Sequence, residues 1–171
     1  METWDAIRSR RNVRRYTDEP ISEDDLDQIL EAGRRAPSSR NWQPWDFVVV
    51  RDRDRLIELA EVWMGAGHIA TSAATIALVA AVPEDEQHRD WLQYDLGQAT
   101  MSMMLAATDL GIGTGHAAVA DQDLARSLLG HPDDHFVAYL IAFGHPADRP
   151  LAPIGHPNRR PFDQLVHRGR W

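Results

Sequence analysis

Residues 90–110 carry the sequence DWLQYDLGQATMSMMLAATDL, the longest helical pattern in the chain. Its apolar residues recur at steps of three and four, which places them on one helical face, and Gly111 follows as a stop signal. That face consists of Leu92, Leu96, Ala99, Met103, Ala106, Ala107 and Leu110. We expect a helix this rich in Ala and Met to be the core helix, against which the other elements pack.

Three short apolar runs on either side of this helix are predicted to be buried strands. They are Phe47–Val50 (FVVV), Thr75–Val82 (TIALVAAV) and Phe136–Phe143 (FVAYLIAF). The second run contains no charge and no alternation, which is typical of a central strand buried on both faces.

Capping residues predict four further helices, because a Ser, Thr or Asp side chain can accept from the first free N–H groups of a helix. The caps are Thr3 (with a helix end near Arg10), Ser22 with Asp25 three residues later, Asp52 or Asp54, and Asp121 (with an end at Gly130).

The helix after Asp52 or Asp54 is expected to bury Leu56, Leu59, Ala60 and Trp63. Met64–Ser72 (MGAGHIATS) carries only a weak pattern, and we expect it to be mobile. Several helices and about four strands in irregular alternation predict an α+β architecture. Residues 1–171 are expected to form a single domain, since this length suits one core.

Composition excludes several functional classes. The chain has 43% hydrophobic and 26% charged residues, as globular proteins do, and it has no cysteine. Thiolate nucleophiles, disulfides and cysteine metal sites are therefore excluded. The net charge of −8 argues against nucleic-acid binding. No apolar stretch approaches the ~20 residues of a membrane span, and no secretory signal is visible, so we expect a soluble cytoplasmic protein without membrane contact.

All 18 basic residues are Arg, and five of them crowd residues 8–15. Guanidinium forks bind phosphate oxygens in pairs, so a local Arg cluster in an acidic chain suits a small anion. The alternative is that cations at a helix C-terminus simply complement the helix dipole.

Two other segments have candidate binding groups. Residues 37–45 (PSSRNWQPW) offer hydroxyls, amides and indoles that could bind the edge of a heteroaromatic ring, or could merely form turns before a strand. Residues 111–116 (GIGTGH) follow a helix, so they do not fit a dinucleotide-binding loop. Their glycines would let the backbone approach a ligand or a neighbouring element.

His131 and His135 do not form a metal motif, because Pro132 disfavours a helix at His131 and no third ligand is evident. Ser38 and Ser39 lack the GxSxG context of a nucleophilic serine.

Five motifs together resemble the nitroreductase family of flavin mononucleotide (FMN) enzymes, in the same order along the chain. They are SRRNVRRY (9–16), APSSRNWQPWDFVVV (36–50), ATDLGIGTG (107–115), AFGHPA (142–147) and NRRPFDQLVHRGRW (158–171). The resemblance implies a nitroreductase-like, FMN-dependent α+β fold. In that fold a central mixed β-sheet is surrounded by helices, and a homodimer binds FMN at the subunit interface.

The resemblance also implies site residues. Arg10, Arg11, Asn12 and Arg14 match residues that hold the FMN phosphate and the ribityl or pyrimidine end, with Asn12 standing where a Ser is common. Ser38, Ser39 and Asn41 match residues that reach the flavin from the partner subunit. Further matches are the Gly113, Thr114 and Gly115 backbone near flavin N5, and Arg159 or Arg160 at the phosphate.

The function implied is an NAD(P)H oxidoreductase in which FMN carries the hydride chemistry at N5 and no side chain is a catalytic residue. NADH or NADPH would reduce the flavin, and an electron-poor small-molecule acceptor, a nitroaromatic or a quinone, would follow in a ping-pong mechanism. Two alternatives share the same motifs. One is a protein that binds or sequesters flavin with little turnover, and the other is a flavin enzyme of a dedicated biosynthetic pathway, such as a deazaflavin pathway.

Overall fold

The computed structural model describes all of residues 1–171, which form five α-helices and four β-strands. In chain order these are α1 (Thr3–Ser9), α2 (Glu23–Arg34), β1 (Asp46–Val50), α3 (Arg53–Leu59), β2 (Ala74–Ala81), α4 (Glu86–Asp109), β3 (Gly113–Ala117), α5 (Gln122–Leu129) and β4 (His135–Gly144). Short 3-10 turns lie at Ser39–Asn41, Ala60–Val62, Gly67–Thr71 and Phe162–Gln164. The α+β class is confirmed.

The four strands form one sheet in the order β1-β2-β4-β3, and all three strand pairings are antiparallel. The prediction of a mixed sheet is therefore wrong for strands β1 to β4. One parallel pairing exists, an isolated bridge between Asn12 and Thr114. As the sequence predicts, β2 is central and almost completely buried.

The core helix α4 is confirmed and is longer than predicted, because Asp85 caps it by accepting from the His88 N–H. Its predicted apolar face packs with α2 and with one face of the sheet. In α2, a Cβ on Gly33 would lie only 2.8 Å from Met103 Cγ of α4. Glycine at this position therefore leaves room for the Met103 side chain between the two helices.

A second apolar cluster covers the other face of the sheet. It combines α3, the 60–69 segment and α5 with Val13 and Tyr16, which belong to residues 10–16, the Arg-rich segment. Helices thus lie on both sides of the sheet, and Val13 and Tyr16 tie the N-terminal arginines to this second cluster.

Local predictions mostly hold, with three corrections. Ser22, Asp52 and Asp121 cap their helices as predicted, whereas α1 begins after Glu2 without a side-chain cap, so Thr3 is not its cap. Trp63 is 37% exposed and not part of the inner face, because the chain leaves helical geometry there. The predicted loop Met64–Ser72 contains a 3-10 turn whose Ile69 is fully buried, and its packing does not support the expected mobility.

The tail after β4 lies on the surface. Arg11 contacts it near Asp148, but beyond Ile154 every residue is exposed, including the apolar side chains of Phe162, Leu165 and Trp171. None of the helices combines the length and apolar composition that a membrane-spanning helix requires.

Candidate functional site

The Arg-rich segment leaves α1 as an extended strand-like chain and docks on β3. The Val13 N–H donates to the Thr114 carbonyl at 2.8 Å, and Asn12 forms the parallel bridge with Thr114. Three residues on, the buried Tyr16 hydroxyl donates to the Val13 carbonyl at 2.8 Å. Burial raises the pKa of Tyr16, so this hydroxyl stays protonated and remains a donor.

The glycines of β3 make this docking possible. A Cβ on Gly113 would lie 2.6 Å from Val13 Cγ2, and one on Gly115 would lie 2.4 Å from the Val13 carbonyl oxygen. Any larger residue would push the Arg-rich segment away. The sequence left open whether these glycines approach a ligand or a neighbouring element. In the structure, the side of Gly113 and of Gly115 on which a Cβ would stand faces Val13.

The predicted arginines differ in what they contact. Arg11 forms an ion pair with Asp148 at 2.9 Å and donates to the Arg149 carbonyl at 2.6 Å. Its hydrogen bond lowers the pKa of the Asp148 carboxyl. Arg10 contacts only the Asn12 side-chain oxygen, at 3.3 Å, and neither Arg10 nor Arg14 has an ion-pair partner. Arg10 and Arg14 are therefore the two predicted arginines of this segment whose charges are available to an anion.

Each of these two arginines lines a cavity. Arg10, Asn12 and His116 face α4 across a cavity of 370 Å³, where Gly97 of the helix leaves open space. Arg14 and His68 line a cavity of 570 Å³ on the other side of the Val13 contact. Both arginines thus project from one extended segment into open space.

His68 belongs to this site, although no pattern in the sequence predicts it. The residue is 8% exposed, and its Nε2 lies 3.2 Å from the Gly115 carbonyl oxygen. Burial lowers the pKa of His68, and the charges of Arg14 and His116 add to this effect. Because a carbonyl oxygen can only accept, the His68 Nε2–H donates to Gly115. No local signal marked this His, because the segment around it has no clear periodicity.

The loop with Ser38, Ser39 and Asn41 lies on a different face of α4. The Ser39 N–H donates to Asp95 Oδ2 at 2.9 Å. Asp95 and Gly97 are two residues apart on the helix, about 200° around its axis. The Ser39 contact and the Arg10 cavity are therefore on opposite sides of α4 within one chain.

Arg159 and Arg160 line neither the Arg10 cavity nor the Arg14 cavity. In the exposed tail, Arg159 donates to the Asn158 carbonyl and Arg160 to the Gln164 carbonyl. Within one chain, Arg10, Asn12 and Arg14 therefore lie beside residues 113–115. The 38–41 loop and the tail arginines do not join this group.

A family model described as the nitroreductase family matches residues 7–75 and 58–145, which is most of the chain. The chain belongs to the nitroreductase family. A protein of Archaeoglobus fulgidus that carries the provisional name NADH dehydrogenase/NAD(P)H nitroreductase is 32% identical over 174 residues, and the match covers 99% of both chains. The FMN reductase [NAD(P)H] of Bacillus subtilis is 28% identical over 169 residues, covering 86% of this chain and 67% of its own.

The fold agrees with a solved structure of the same family. An FMN-dependent nitroreductase from Clostridium difficile superposes with a TM-score of 0.83 at 24% identity, covering 97% of this chain and 98% of its own. The nitroreductase-like fold expected from the motifs is thereby confirmed.

The donor set of this nitroreductase-family chain suits a phosphorylated, ring-containing cofactor. Arg10 and Arg14 supply free positive charge, while the Asn12 amide and the exposed His116 ring supply further polar groups. The Thr114 hydroxyl is buried beside Asn12 without a hydrogen-bond partner. These residues fit FMN, whose phosphate needs charged donors and whose ring needs oriented polar groups.

Proposed function

We propose that the chain is an FMN-dependent oxidoreductase that uses NADH or NADPH to reduce an electron-poor acceptor, a nitroaromatic or a quinone. Membership of the nitroreductase family supports this class of activity. The observation that carries the proposal is the pair of unpaired arginines, Arg10 and Arg14, on a segment clamped to β3. The two arginines line different cavities, so one would hold the FMN phosphate, a small dianion in a chain of net charge −8, while the other would contact another part of the cofactor.

The residues that would hold FMN are Arg10, Asn12 and Arg14, with the backbone of Gly113–Gly115 beside them. When bound, FMN would supply the redox chemistry, which is hydride transfer between a nicotinamide donor and the acceptor. The chain's own contribution is to bind and orient. His68 holds the Gly115 carbonyl and so helps to fix β3.

The proposed assembly is a homodimer with FMN at the subunit interface. Ser38, Ser39, Asn41 and one of Arg159 and Arg160 would then come from the partner subunit. Two observations support this arrangement: the 38–41 loop lies on the opposite side of α4 from Arg10, and the tail exposes Phe162, Leu165 and Trp171. An apolar tail without a core of its own packs on a partner.

Spectroscopy and steady-state kinetics test the proposal. We expect purified protein to be yellow, to release FMN on denaturation, and to oxidise NADH or NADPH only when menadione or a nitroaromatic is present. Double-reciprocal plots should be parallel, because donor and acceptor would use one flavin face in turn. His116→Ala should lower turnover by about 10-fold or less, short of the ~10²–10⁴ of a general acid.

Three outcomes would oppose the proposal in different ways. Colourless protein that does not bind added FMN would refute flavin binding. Tightly bound FMN without turnover would favour the alternative of a flavin-sequestering protein. Intersecting double-reciprocal lines would refute the shared flavin face while leaving the oxidoreductase intact.

The dimer has its own test. Removal of the residues after Pro157 should lose both the dimer and bound FMN, as measured by light scattering and flavin absorbance. A flavin-loaded monomer, from either the intact or the shortened chain, would contradict the assembly.

A further inference from the structure

Asp95 places a carboxyl group inside the fold, on the core helix α4. The residue is fully buried, and none of the ion pairs of the chain includes it. Its oxygens accept two hydrogen bonds, Oδ2 from the Ser39 N–H at 2.9 Å and Oδ1 from the Gln98 amide at 3.3 Å. A buried carboxyl group is costly, and α4 already has its cap at Asp85, so helix formation does not account for Asp95.

The loop that Asp95 contacts, Ser38–Gln43, has a backbone that its residues do not favour. Arg40, Asn41 and Gln43 have φ values of 52°, 58° and 54°, in the left-handed region that non-glycine residues rarely adopt. Such a conformation persists only where surrounding contacts impose it.

Asp95 provides the one hydrogen bond that joins this loop to another element. The other hydrogen bonds of the loop connect residues 38–45 to one another, as when the Gln43 N–H donates to Ser38 Oγ at 2.8 Å. Arg40 and Trp42 add ring contacts to the first turns of α4. The position of Ser39 on α4 is therefore determined by Asp95.

The loop keeps two polar side chains free. The Ser39 hydroxyl and the Asn41 amide form no hydrogen bond within the chain, and Asn41 is exposed. Both groups are therefore available to a ligand, and the tether at the Ser39 N–H sets where they stand.

Asp95 does not reach the Arg10 cavity of its own chain. Gln93, Gly97 and Met101 line that cavity from α4, whereas Asp95 does not. Asp95 and Gly97 lie about 200° apart around the helix axis. An effect of Asp95 on a ligand must therefore pass through the loop, to whatever site the loop completes.

We infer that Asp95 is a positioning residue for the flavin site of the partner subunit, where it acts through the Ser39 N–H and does not touch the cofactor. The inference rests on the proposed function, in which Ser38, Ser39 and Asn41 reach the partner's FMN. It adds a residue from the core helix, and it predicts that the effect crosses the subunit interface.

Single variants test the positioning role by equilibrium dialysis of the purified dimer against FMN. Asp95→Ala should weaken FMN binding about tenfold, because the loop loses its acceptor. Asp95→Asn keeps an oxygen for the Ser39 N–H and should restore most of the affinity. Should Asp95→Ala fail to fold, Asp95→Leu fills a similar volume without an acceptor and should show the same loss.

Two control variants separate positioning from general stability. Asp90→Ala removes an exposed carboxylate from the same helix, and Ile76→Val removes a methylene group from the buried strand β2. Ile76→Val should lower the Tm, yet both controls should bind FMN as the unaltered protein does. A loss of FMN affinity that follows the Tm in all variants would overturn the positioning role.

Mixed dimers test whether the effect crosses the interface. An Arg10→Ala chain and an Asp95→Ala chain with different tags are co-expressed, and the dimer that carries both tags is purified. If Asp95 acts on the partner's site, both defects fall in one site and the other site is intact. The mixed dimer should then bind one FMN with unaltered affinity and the second about a hundredfold more weakly.

The same measurement separates the inference from the proposed function. Two FMN sites that are each weakened about tenfold would show that Asp95 acts within its own chain, and would overturn the inference while the proposed function stands. An unaltered protein that binds no FMN, or binds it as a monomer, would overturn the proposed assembly and the inference with it.

Discussion

The segment Arg10–Tyr16 and the loop Ser38–Gln43 both contain predicted cofactor residues, yet different interactions hold them in place. The first is packed against β3, where Val13 fills the space that side chains on Gly113 and Gly115 would need. The second is held by polar contacts, above all between the Ser39 N–H and the buried Asp95.

This difference shows how one chain can fix two parts of a site. Close packing responds to any added volume, because protein interiors have little free space. A polar tether depends on a single acceptor and leaves the surrounding loop exposed. The same contrast determines which substitutions should damage each part.

The largest expected effect comes from breaking the packed segment. Gly115→Ala should lower the free energy of unfolding by about 3 kcal/mol, because its Cβ would lie 2.4 Å from the Val13 carbonyl oxygen. Gly97→Ala is the matched control, because a Cβ at Gly97 meets no atom within 4 Å. This substitution should raise the free energy of unfolding by about 1 kcal/mol, since Ala favours a helix more than Gly does. Urea unfolding measures both, and equal changes would contradict the packing argument.

A second prediction compares two neighbouring arginines. Arg10→Ala should weaken FMN binding about tenfold or more, a loss of about 1.5–3 kcal/mol for a charged hydrogen bond. Arg11→Ala should have a much smaller effect, because Asp148 already neutralises Arg11. Fluorescence titration with FMN distinguishes the two, and equal losses would show that Arg11 also reaches the phosphate.

The polar tether should give a smaller change in stability. Asp95→Ala leaves the Ser39 N–H without its acceptor but also removes a buried carboxylate, so we expect a net loss of about 1 kcal/mol. Asp95→Asn keeps an acceptor oxygen and should lose less. Asp90→Ala changes an exposed carboxylate on the same helix and serves as the control. Thermal unfolding measures these losses of stability. An Asp90→Ala variant that loses as much stability as Asp95→Ala would argue against the tether.

The smallest expected effect is a pH dependence at His68. Burial lowers the pKa of the folded-state His68, so the unfolded chain binds this proton more readily. The contribution of His68 to the free energy of unfolding is therefore fully present above the pKa of an unfolded-state His, about 6.5. It falls as the pH drops through that value. His68→Gln keeps a donor for Gly115 without a titrating group. Its Tm should change less between pH 7.5 and 5.5 than that of the unaltered protein, and parallel Tm curves would contradict this role.

The sequence alone predicted the elements that depend on local patterns. The apolar face of α4 follows from three- and four-residue spacing, and three of the four predicted caps are formed by Ser22, Asp52 and Asp121. The three apolar runs are strands because each has enough β-branched or aromatic residues to form a buried surface. The family followed from five motifs in a fixed order, none of which is specific alone.

Only the tertiary structure decided the elements that depend on distant contacts. The β3 sequence GTGHA has no apolar alternation, and it forms a strand because β4 and Val13 supply its hydrogen bonds. His68 reaches Gly115 across 47 positions of the chain. Likewise, nothing local indicates that the Ser39 loop and Arg10 lie on opposite sides of α4. Periodicity encodes which face of an element is buried, whereas the choice of neighbour depends on packing between residues far apart in sequence, and that packing exists only in the folded chain.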